Sequence, residues 1–145
     1  MNILVLNGSP KGERSNTLKL AKAFLEGFTQ TQSADTEIVD IYKLNIRECL
    51  GCFACWSKTP GKCAITDDMT DVLQKILRAD VVVWSFPLYY FSLPSRLKMV
   101  IGRRLLLWRV TPARADTDPD MICPANGMWS SPPAGFTSLR KTITL

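Results

Sequence analysis

Residues 2–17, NILVLNGSPKGERSNT, contain the segment that decides the fold. Asn2 to Leu6 is a continuous aliphatic run, which is typical of a strand buried on both faces of a parallel sheet. The run ends at a Gly-Ser-Pro turn, and Ser15, a good N-cap residue, then begins a helical pattern. Its apolar residues recur at spacings of three and four: Leu18, Ala21, Leu25 and Phe28. Because Thr36–Ile41 predicts a second strand, this part of the chain predicts a βαβ unit.

The same alternation continues along the chain. A second helix is predicted from Met69, with Asp68 as its cap and Asp71 in its first turn. Val81–Phe86 predicts a third, continuously apolar strand that ends at a proline. After a loop rich in aromatic residues, a helix is expected from Ser95 to about Trp108. Strands that alternate with helices predict an α/β fold with a doubly wound parallel sheet.

This alternation stops after about Gly102. Residues 111–135 have neither a helical nor a strand period, Phe136–Leu145 could form one strand, and five of the nine prolines lie from Pro112 onward. We therefore expect one folded α/β domain over 1–101, a divergent and poorly ordered tail over 102–145, and an incomplete sheet with three clear strands. Our hypothesis for the tail is a frameshift, which intact fourth- and fifth-strand coding in another reading frame would support.

Composition and charge exclude several classes of protein. With 145 residues, 46% hydrophobic and 21% charged, the chain is expected to form one globular domain. It lacks an apolar run of the roughly 18–20 residues that a membrane span needs and lacks a secretory n-region, so we expect a cytoplasmic protein with no membrane contact. The net charge of +5 lies in residues 96–145, which hold eight basic and three acidic residues. Because the arginines form no helical stripe, nucleic-acid binding is not expected.

The loop after the first strand is a candidate phosphate site. Several backbone N–H groups and the positive end of a helix converge there. Its neutral polar donors are Ser9, Ser15, Asn16 and Thr17. Glu13 stands where a nucleotide P-loop needs glycine, and Pro10 replaces the second glycine of a dinucleotide fingerprint. A phosphomonoester such as that of a flavin mononucleotide suits this loop, and a simple capped helix start is an equally open alternative.

The aromatic loop after the third strand is expected beside the phosphate site. In a 2-1-3-4-5 strand order, the first and third strands are neighbours at the switch point where the ligand crevice opens. The two loops therefore predict one pocket with an aromatic wall. The alternative for Tyr89, Tyr90 and Phe91 is a hydrophobic plug or a dimer contact.

Four cysteines follow the pattern C-x2-C-x2-C-x7-C, and they are Cys49, Cys52, Cys55 and Cys63. Two-residue gaps let successive thiolates converge on one cluster, as in ferredoxin-type ligation. Free thiols with a redox role and a zinc site are the alternatives, although structural zinc usually takes two Cys pairs separated by a longer spacer. Disulfides are disfavoured in a cytosolic chain. Cys123 is isolated and carries no predicted role.

Four stretches together resemble the flavodoxin-like NAD(P)H-dependent FMN reductases, and in particular their iron–sulfur flavoprotein branch. They are Gly8-Ser9-Pro10-Lys11 with Ser15-Asn16-Thr17, the run Cys49-Leu50-Gly51-Cys52-Phe53-Ala54-Cys55, Gly61-Lys62-Cys63-Ala64-Ile65 with Asp67-Asp68-Met69, and Pro87-Leu88-Tyr89-Tyr90. The resemblance covers residues 1 to about 101 and implies the N-terminal part of a flavodoxin-like FMN-binding domain over 1–101. The family places a third flavin-contacting loop after a fourth strand, and no matching strand is visible after Ile101.

The resemblance implies a cofactor site. Residues Ser9, Ser15, Asn16 and Thr17 would hold the FMN phosphate with Lys11 nearby, and Pro87, Leu88, Tyr89 and Tyr90 would line the isoalloxazine. The cysteines Cys49, Cys52, Cys55 and Cys63 would hold a four-iron four-sulfur cluster. No catalytic side chain is assigned, because the chain has no histidine and hydride transfer to a flavin needs none.

The resemblance also implies an activity. The chain would be an oxidoreductase that passes electrons from NADH or NADPH to a small-molecule acceptor such as a quinone or free flavin, and it would form a homodimer. The alternatives are an electron carrier that exchanges electrons with a protein such as ferredoxin, and an inactive truncated relative.

Overall fold

The computed structural model describes residues 1–109 and 141–144, and in them a single parallel sheet carries helices on both faces. The elements in chain order are β1 (Asn2–Asn7), α1 (Asn16–Thr29), β2 (Asp35–Asp40), α2 (Met69–Arg78), β3 (Val81–Ser85), α3 (Ser95–Arg103) and β4 (Lys141–Thr144). The strands lie in the order β2-β1-β3-β4, and each neighbouring pair is parallel. This order confirms the predicted doubly wound class. Cys123 and the proline-rich stretch lie outside the described residues.

Helices cover both faces of the sheet, and successive residues of β1 and β3 point to opposite faces, so both sets of side chains are buried. On one face, Ile3, Val5, Val81 and Val83 pack against Leu18, Ala21 and Leu25 of α1. On the other face, Leu4, Leu6, Val82 and Trp84 pack with residues of α2 and α3. The two strands lack polar alternation in the sequence because both of their faces are buried, as predicted.

Most element boundaries agree with the sequence prediction within two residues. β2 ends at Asp40 because its carboxylate accepts a hydrogen bond from the N–H of Tyr42 at 3.1 Å and begins a 3-10 turn at Ile41. Within the stretch expected to form one strand, Lys141–Thr144 forms β4 beside β3. α3 ends at Arg103 and gives way to 3-10 turns over Arg104–Arg109, so the predicted helix to Trp108 is shorter than expected.

The prediction that Asp68 caps α2 is wrong. Asp68 makes no side-chain cap hydrogen bond, and its Oδ2 accepts instead from the N–H of Asn45 at 2.7 Å. The neighbouring Asp67 accepts from the N–H of Met69 at 3.1 Å. The carboxylate of Asp68 therefore binds the backbone N–H of Asn45, at the start of the loop before α2, and not an N–H group of the first helical turn.

The described contacts continue past residue 101. Arg103 is 3% exposed and Leu106 belongs to the core on the α2 and α3 face. The division of the chain into 1–101 and 102–145 stays a prediction.

Candidate cofactor site

The phosphate loop comprises residues 8–17. The side chain of Asn7, the last residue of β1, stabilises its conformation. The side chain of Asn7 donates to the carbonyl of Gly12 at 3.3 Å and accepts from the N–H of Ser9 at 3.3 Å. The hydroxyl of Ser9 accepts from the N–H of Lys11 at 3.3 Å. Gly12 has φ +54°, a backbone conformation that favours glycine. These bonds fix the loop without using an ionised group.

The N-terminus of α1 closes the phosphate loop. The Oγ of Ser15 accepts from the N–H of Leu18 at 3.4 Å and shares a hydrogen bond with the hydroxyl of Thr17 at 2.8 Å, so the predicted N-cap is confirmed. Within residues 1–109, the N–H groups of Asn16 and Thr17 have no hydrogen-bond acceptor. Free N–H groups at the positive end of a helix favour an anion such as a phosphate.

The predicted phosphate ligands differ in their exposure. Ser9 and Ser15 are each 2% exposed, whereas Lys11 and Asn16 are exposed and Thr17 is half-buried. The two buried serines therefore shape the loop, and the other three side chains face the solvent where a ligand would arrive.

The aromatic loop, residues 86–94, presents a tight turn at its tip. Tyr89 and Ser92 exchange backbone hydrogen bonds of 2.8 and 3.0 Å. Between them, Tyr90 and Phe91 have φ values of 50° and 60° and are 97% and 99% exposed. Two successive residues with positive φ are the signature of a type I′ turn, which normally selects Asn and Gly. The turn therefore exposes two bulky aromatic side chains to solvent, in a backbone conformation that is unfavourable in free energy for residues other than glycine and asparagine.

The phosphate loop and the aromatic loop leave the sheet side by side. β1 pairs with β3 up to the register Asn7 with Ser85, and the N–H of Gly8 donates to the carbonyl of Ser85 at 2.8 Å. A Cβ at Gly8 would lie 2.9 Å from Cδ2 of Leu97 in α3. The two loops that the sequence predicted to form one pocket therefore share one edge of the sheet.

A cavity of about 170 Å³ opens on the other side of the phosphate loop, toward β2. Its lining residues are Asn7, Glu13, Leu18, Lys22, Ile38, Asp40 and Lys43. None of them belongs to the aromatic loop. This volume is below the roughly 300 Å³ at which ligand pockets usually begin, so we do not place the flavin there.

The cysteine loop, residues 45–67, carries the four predicted metal ligands. Cys49 and Cys52 are exposed, whereas Cys55 and Cys63 are half-buried against the core, and all four are free. Gly51 and Phe53 have φ values of 62° and 50°, so the backbone turns sharply between the first and third cysteines. Among the described residues, no three cysteine, histidine or carboxylate side chains lie close enough to hold a metal ion.

The cysteine thiols nevertheless influence one another. Burial raises the pKa of the Cys55 thiol, and the nearby Cys63 thiol raises it further. A thiol with a raised pKa is mostly protonated near neutral pH and is a poor nucleophile, unlike the low-pKa cysteines of redox enzymes.

Sequence reasoning missed the side chain that ties the cysteine loop to α3. Arg103 makes a bidentate ion pair with Asp67, at 2.9 and 3.0 Å, and both side chains are 1% exposed. Burial alone would raise the pKa of Asp67, but hydrogen bonds from Arg103 and from the N–H groups of Arg47 and Met69 lower it overall. The sequence did contain an indication of this role. Leu97, Val100 and Arg103 lie on one face of α3, so an arginine occupies a position where the helical pattern predicts an apolar residue.

Comparison with known proteins shows the same fold and a defined set of relatives. A family model for the flavodoxin-like fold matches residues 1–105. An FMN-dependent NADH:quinone oxidoreductase of Pseudoalteromonas atlantica is 33% identical over 108 residues, covering 70% of this chain and 54% of the relative. An iron–sulfur flavoprotein of Archaeoglobus fulgidus is 34% identical over 103 residues, covering 71% of this chain and 48% of the relative.

A solved structure also has a similar fold. An FMN-dependent NADH-azoreductase of Bacillus anthracis, in complex with FMN, superposes with a TM-score of 0.54 and 25% identity, covering 70% of this chain and 54% of that one. The chain spans about half the length of the curated relatives it matches. No helix among the described residues is long and apolar enough to cross a membrane.

Proposed function

The chain belongs to the flavodoxin-like fold family, and we propose on this basis that it is an FMN-dependent oxidoreductase that transfers electrons from NADH or NADPH to a small-molecule acceptor. The observation that carries the proposal is the juxtaposition of two loops. A hydroxyl- and amide-rich loop at the N-terminus of α1 is joined, through the 2.8 Å bond from Gly8 to Ser85, to a loop with exposed aromatic side chains.

The residues of the phosphate loop fit the phosphate of FMN. The N–H groups of Asn16 and Thr17 and the Thr17 hydroxyl are neutral donors at a positive helix end, and Lys11 adds a nearby charge. A loop that holds its shape through Ser9 and Ser15 does not have to be ordered when the ligand binds.

The aromatic loop fits the ring system. Pro87, Leu88, Tyr89 and Tyr90 follow the neighbouring strand and present apolar surface beside the phosphate loop. When bound, FMN supplies the hydride-accepting chemistry, so the protein needs only to bind and orient it and to limit access of water. The lack of a histidine is compatible with this division of labour.

The named relatives support the substrates in this proposal. They include NADH:quinone oxidoreductases and an NADH-azoreductase, which act with FMN. We therefore propose NAD(P)H as co-substrate and a quinone, a free flavin or a similar small acceptor. A homodimer would cover Tyr90 and Phe91, which are almost fully exposed in one chain. Four free cysteines are compatible with a reducing, cytoplasmic location.

The proposal is tested by titrating the protein with FMN and following quenching of the flavin fluorescence. Replacing Ser15 and Thr17 together with alanine removes the hydroxyl pair at the helix start. We expect the FMN affinity to fall at least about tenfold, because hydrogen bonds to a charged group contribute about 1.5–3 kcal/mol. The matched control is Thr29→Ala, which removes a hydroxyl at the other end of α1.

Riboflavin, which lacks the phosphate, separates a phosphate effect from a general loss of structure. Its affinity should be the same in the wild type and in the double variant. Unchanged FMN affinity in the double variant, or no FMN binding by the wild type, contradicts the proposal. A wild-type protein that binds neither FMN nor a metal would be an inactive relative.

A second candidate function is an iron–sulfur flavoprotein that carries electrons between FMN, a cluster and a protein such as ferredoxin. The observation that favours it is that all four cysteines lie free on one loop, in a chain 34% identical to a protein named an iron–sulfur flavoprotein. Burial raises the pKa of the Cys55 thiol, so this one cysteine is poorly suited to a nucleophilic role.

The donor set fits a four-iron four-sulfur cluster, since four cysteine thiolates are its usual ligands. Cys49, Cys52, Cys55 and Cys63 would hold it, and the thiols would have to move closer together to do so. Anaerobic reconstitution with ferrous iron and sulfide tests this function. We expect equal iron and sulfide in the purified protein, and their absence, or binding of zinc alone, contradicts it.

A further inference from the structure

We infer that Asn7 is the positioning residue of the phosphate site: its side-chain amide joins two parts of the phosphate loop and thereby sets the direction of the N–H groups that would hold a phosphate. The inference rests on the proposed flavin function, in which residues 8–17 bind the phosphate of FMN. Asn7 is the last residue of β1 and lies outside the residues predicted to bind the cofactor. Because its side chain is buried, with 1% of the residue exposed, it would act on a ligand through the loop.

The amide of Asn7 uses both its acceptor and its donor on the phosphate loop. Its Oδ1 accepts from the N–H of Ser9 at 3.3 Å, close to the strand, and its Nδ2 donates to the carbonyl of Gly12 at 3.3 Å, five residues away. The first contact requires an acceptor and the second requires a donor, and an amide carries both. An ionised carboxylate only accepts, so it cannot make both bonds.

The bonds of Asn7 continue through the loop to helix α1. The carbonyl of Ser9 accepts from the N–H of Gly12 at 3.1 Å, and the carbonyl of Gly12 accepts from the N–H of Ser15 at 3.1 Å as well as from the Asn7 amide. Ser15 is the N-cap of α1, and the first two N–H groups of the helix follow it directly. The direction of these two N–H groups therefore depends on a continuous set of hydrogen bonds that begins at Asn7.

Gly12 is the part of the loop on which the Asn7 amide has the largest effect. Its φ of +54° lies in the left-handed region, and a Cβ there would lie 3.1 Å from Oδ2 of Asp40. Because glycine adopts many backbone conformations at little steric cost, a single conformation of this residue has to be fixed by bonds from outside it. The bond from Asn7 to the Gly12 carbonyl supplies such a constraint, so the loop is ordered before a ligand binds.

The surroundings of the Asn7 amide determine how a carboxyl group would behave in its place. In the sheet, Asn7 pairs in register with Asp40 of β2 and with Ser85 of β3, which does not ionise. The ionisable groups that line the cavity beside it are Glu13, Lys22, Asp40 and Lys43. Their two positive and two negative charges balance, so burial is the main influence at this position. Burial raises the pKa of a carboxyl group, because it disfavours the charged form.

The test titrates the full-length chain and its Asn7→Asp variant with FMN at high and at low pH. At about pH 8 the ionised carboxylate cannot donate to the Gly12 carbonyl, and we expect FMN to bind at least about tenfold more weakly than to the wild type. At about pH 5 the protonated carboxyl group again supplies one donor and one acceptor, and the two affinities should agree within about threefold. Taking the ratio of the two proteins at each pH cancels the titration of the FMN phosphate itself.

Two controls separate positioning of the phosphate loop from a general effect of a new carboxylate. Asn2→Asp, at the exposed first residue of the same strand, should bind FMN as the wild type does at both pH values. Riboflavin, which lacks the phosphate, should bind equally to the wild type and to Asn7→Asp. A change in packing that had nothing to do with the loop would not be reversed by protonation.

A second variant decides the question if the buried charge prevents Asn7→Asp from folding at high pH. Asn7→Ser introduces no ionisable group, and its hydroxyl can still accept from the N–H of Ser9, but it is too short to reach the carbonyl of Gly12. Its FMN affinity should be about tenfold lower than that of the wild type at high and at low pH alike. Circular dichroism of the same samples measures whether the fold is retained.

NMR signals of the backbone N–H groups separate this inference from the proposed flavin function. Inorganic phosphate added to the isotope-labelled wild type should shift the N–H signals of Asn16 and Thr17, and it should shift them less in Asn7→Ser. If the wild type responds to phosphate in this way but does not bind FMN, the flavin proposal fails and this inference holds.

Other outcomes overturn the inference. If the wild type binds FMN and the folded Asn7 variants bind it equally well at high pH, the flavin proposal stands and this inference is wrong. It is also wrong if the loss of affinity in Asn7→Asp persists at low pH, or if riboflavin binding falls as much as FMN binding. A wild type that binds neither FMN nor inorganic phosphate contradicts both proposals.

Discussion

At the scale of single residues, the Asp67 carboxylate connects the stability of this chain to pH. Its side chain is 1% exposed and paired with Arg103, and the hydrogen bonds it accepts outweigh its burial and lower its pKa. A carboxylate whose pKa is lower in the folded than in the unfolded chain stabilises the fold at every pH above its ordinary value. That stabilisation is lost as the pH falls through the lowered pKa of the folded state.

We predict that Asp67→Asn lowers the free energy of unfolding by about 3–5 kcal/mol near neutral pH, because it leaves the buried Arg103 charge without its partner. The difference from the wild type should shrink as the pH falls from the ordinary aspartate pKa of about 3.9 through the lowered pKa of the folded state, where the wild type also loses the charge. Urea denaturation over a pH series measures it. The exposed control Glu48→Gln should change stability by no more than about 0.5 kcal/mol at any pH, and a difference for Asp67→Asn that is independent of pH contradicts the assignment.

Two glycines provide a matched pair at the same scale. A Cβ at Gly8 would lie 2.9 and 3.1 Å from Cδ2 and Cβ of Leu97, whereas a Cβ at Gly27 would meet nothing within 4 Å. We predict that Gly8→Ala destabilises the chain by about 1–3 kcal/mol through overpacking, and that Gly27→Ala, in helix α1, stabilises it by about 0.5–1 kcal/mol. Thermal or urea unfolding distinguishes them. Equal effects would show that α3 does not press on the phosphate loop.

At the scale of elements, the tight turn of the aromatic loop exposes two aromatic side chains in a conformation that lowers the free energy of unfolding of the chain. Tyr90 and Phe91 occupy positive-φ positions, which cost roughly 1–2 kcal/mol each for residues other than glycine and asparagine. We predict that Tyr90→Asn/Phe91→Gly raises the free energy of unfolding by about 1–2 kcal/mol and weakens FMN binding.

Urea denaturation and FMN titration of one preparation test both halves of that prediction. Tyr89→Asn is the control, since Tyr89 lies outside the positive-φ region and should give no gain in stability. A double variant that is no more stable than the wild type argues against strain in the turn. One that is more stable and binds FMN normally argues against flavin contact by these two side chains.

The elements that the sequence predicted well are those in which one physical cause dominates. Continuous apolar runs identified β1 and β3 because both faces of these strands are covered by helices. Ser15 was identified as a cap from its residue type at the start of the helical pattern, and the Leu18 N–H that it caps lies only three residues away. Asp68 was misjudged because its carboxylate is taken by a backbone N–H that lies 23 positions earlier in the chain. Spacing alone cannot reveal such a long-range competitor.

In the candidate site, too, features with a local cause could be predicted and features set by distant residues could not. Its residue types and their order could be predicted, because βα loops at one sheet edge converge whatever their length. The inward direction of Ser9 and Ser15, and the role of Arg103, depend on side-chain packing between distant segments. An arginine on an apolar helical face was a visible anomaly in the sequence, but its partner Asp67 could be found only in three dimensions.

At the scale of the whole molecule, FMN binding and folding are coupled if the flavin proposal is correct. A ligand that binds only the folded chain adds about 2.7 kcal/mol to its stability at a concentration 100 times its Kd, which corresponds to a rise in Tm of roughly 5–10 °C for a chain of this size. We predict this rise with FMN, a clearly smaller one with riboflavin, and a rise with FMN for the Ser15→Ala/Thr17→Ala variant that is reduced toward the riboflavin value.

Differential scanning calorimetry at several ligand concentrations measures these shifts, and inorganic phosphate serves as a control for the anion alone. The comparison between FMN and riboflavin isolates the phosphate, because the two ligands share the ring that would lie beside the aromatic loop. If FMN and riboflavin raise Tm equally, the ring alone drives binding and the N–H groups of Asn16 and Thr17 do not hold a phosphate. If neither raises Tm, the described half of the flavodoxin-like fold does not bind the cofactor, and the exposed Tyr90 and Phe91 are better explained as a contact with another protein surface.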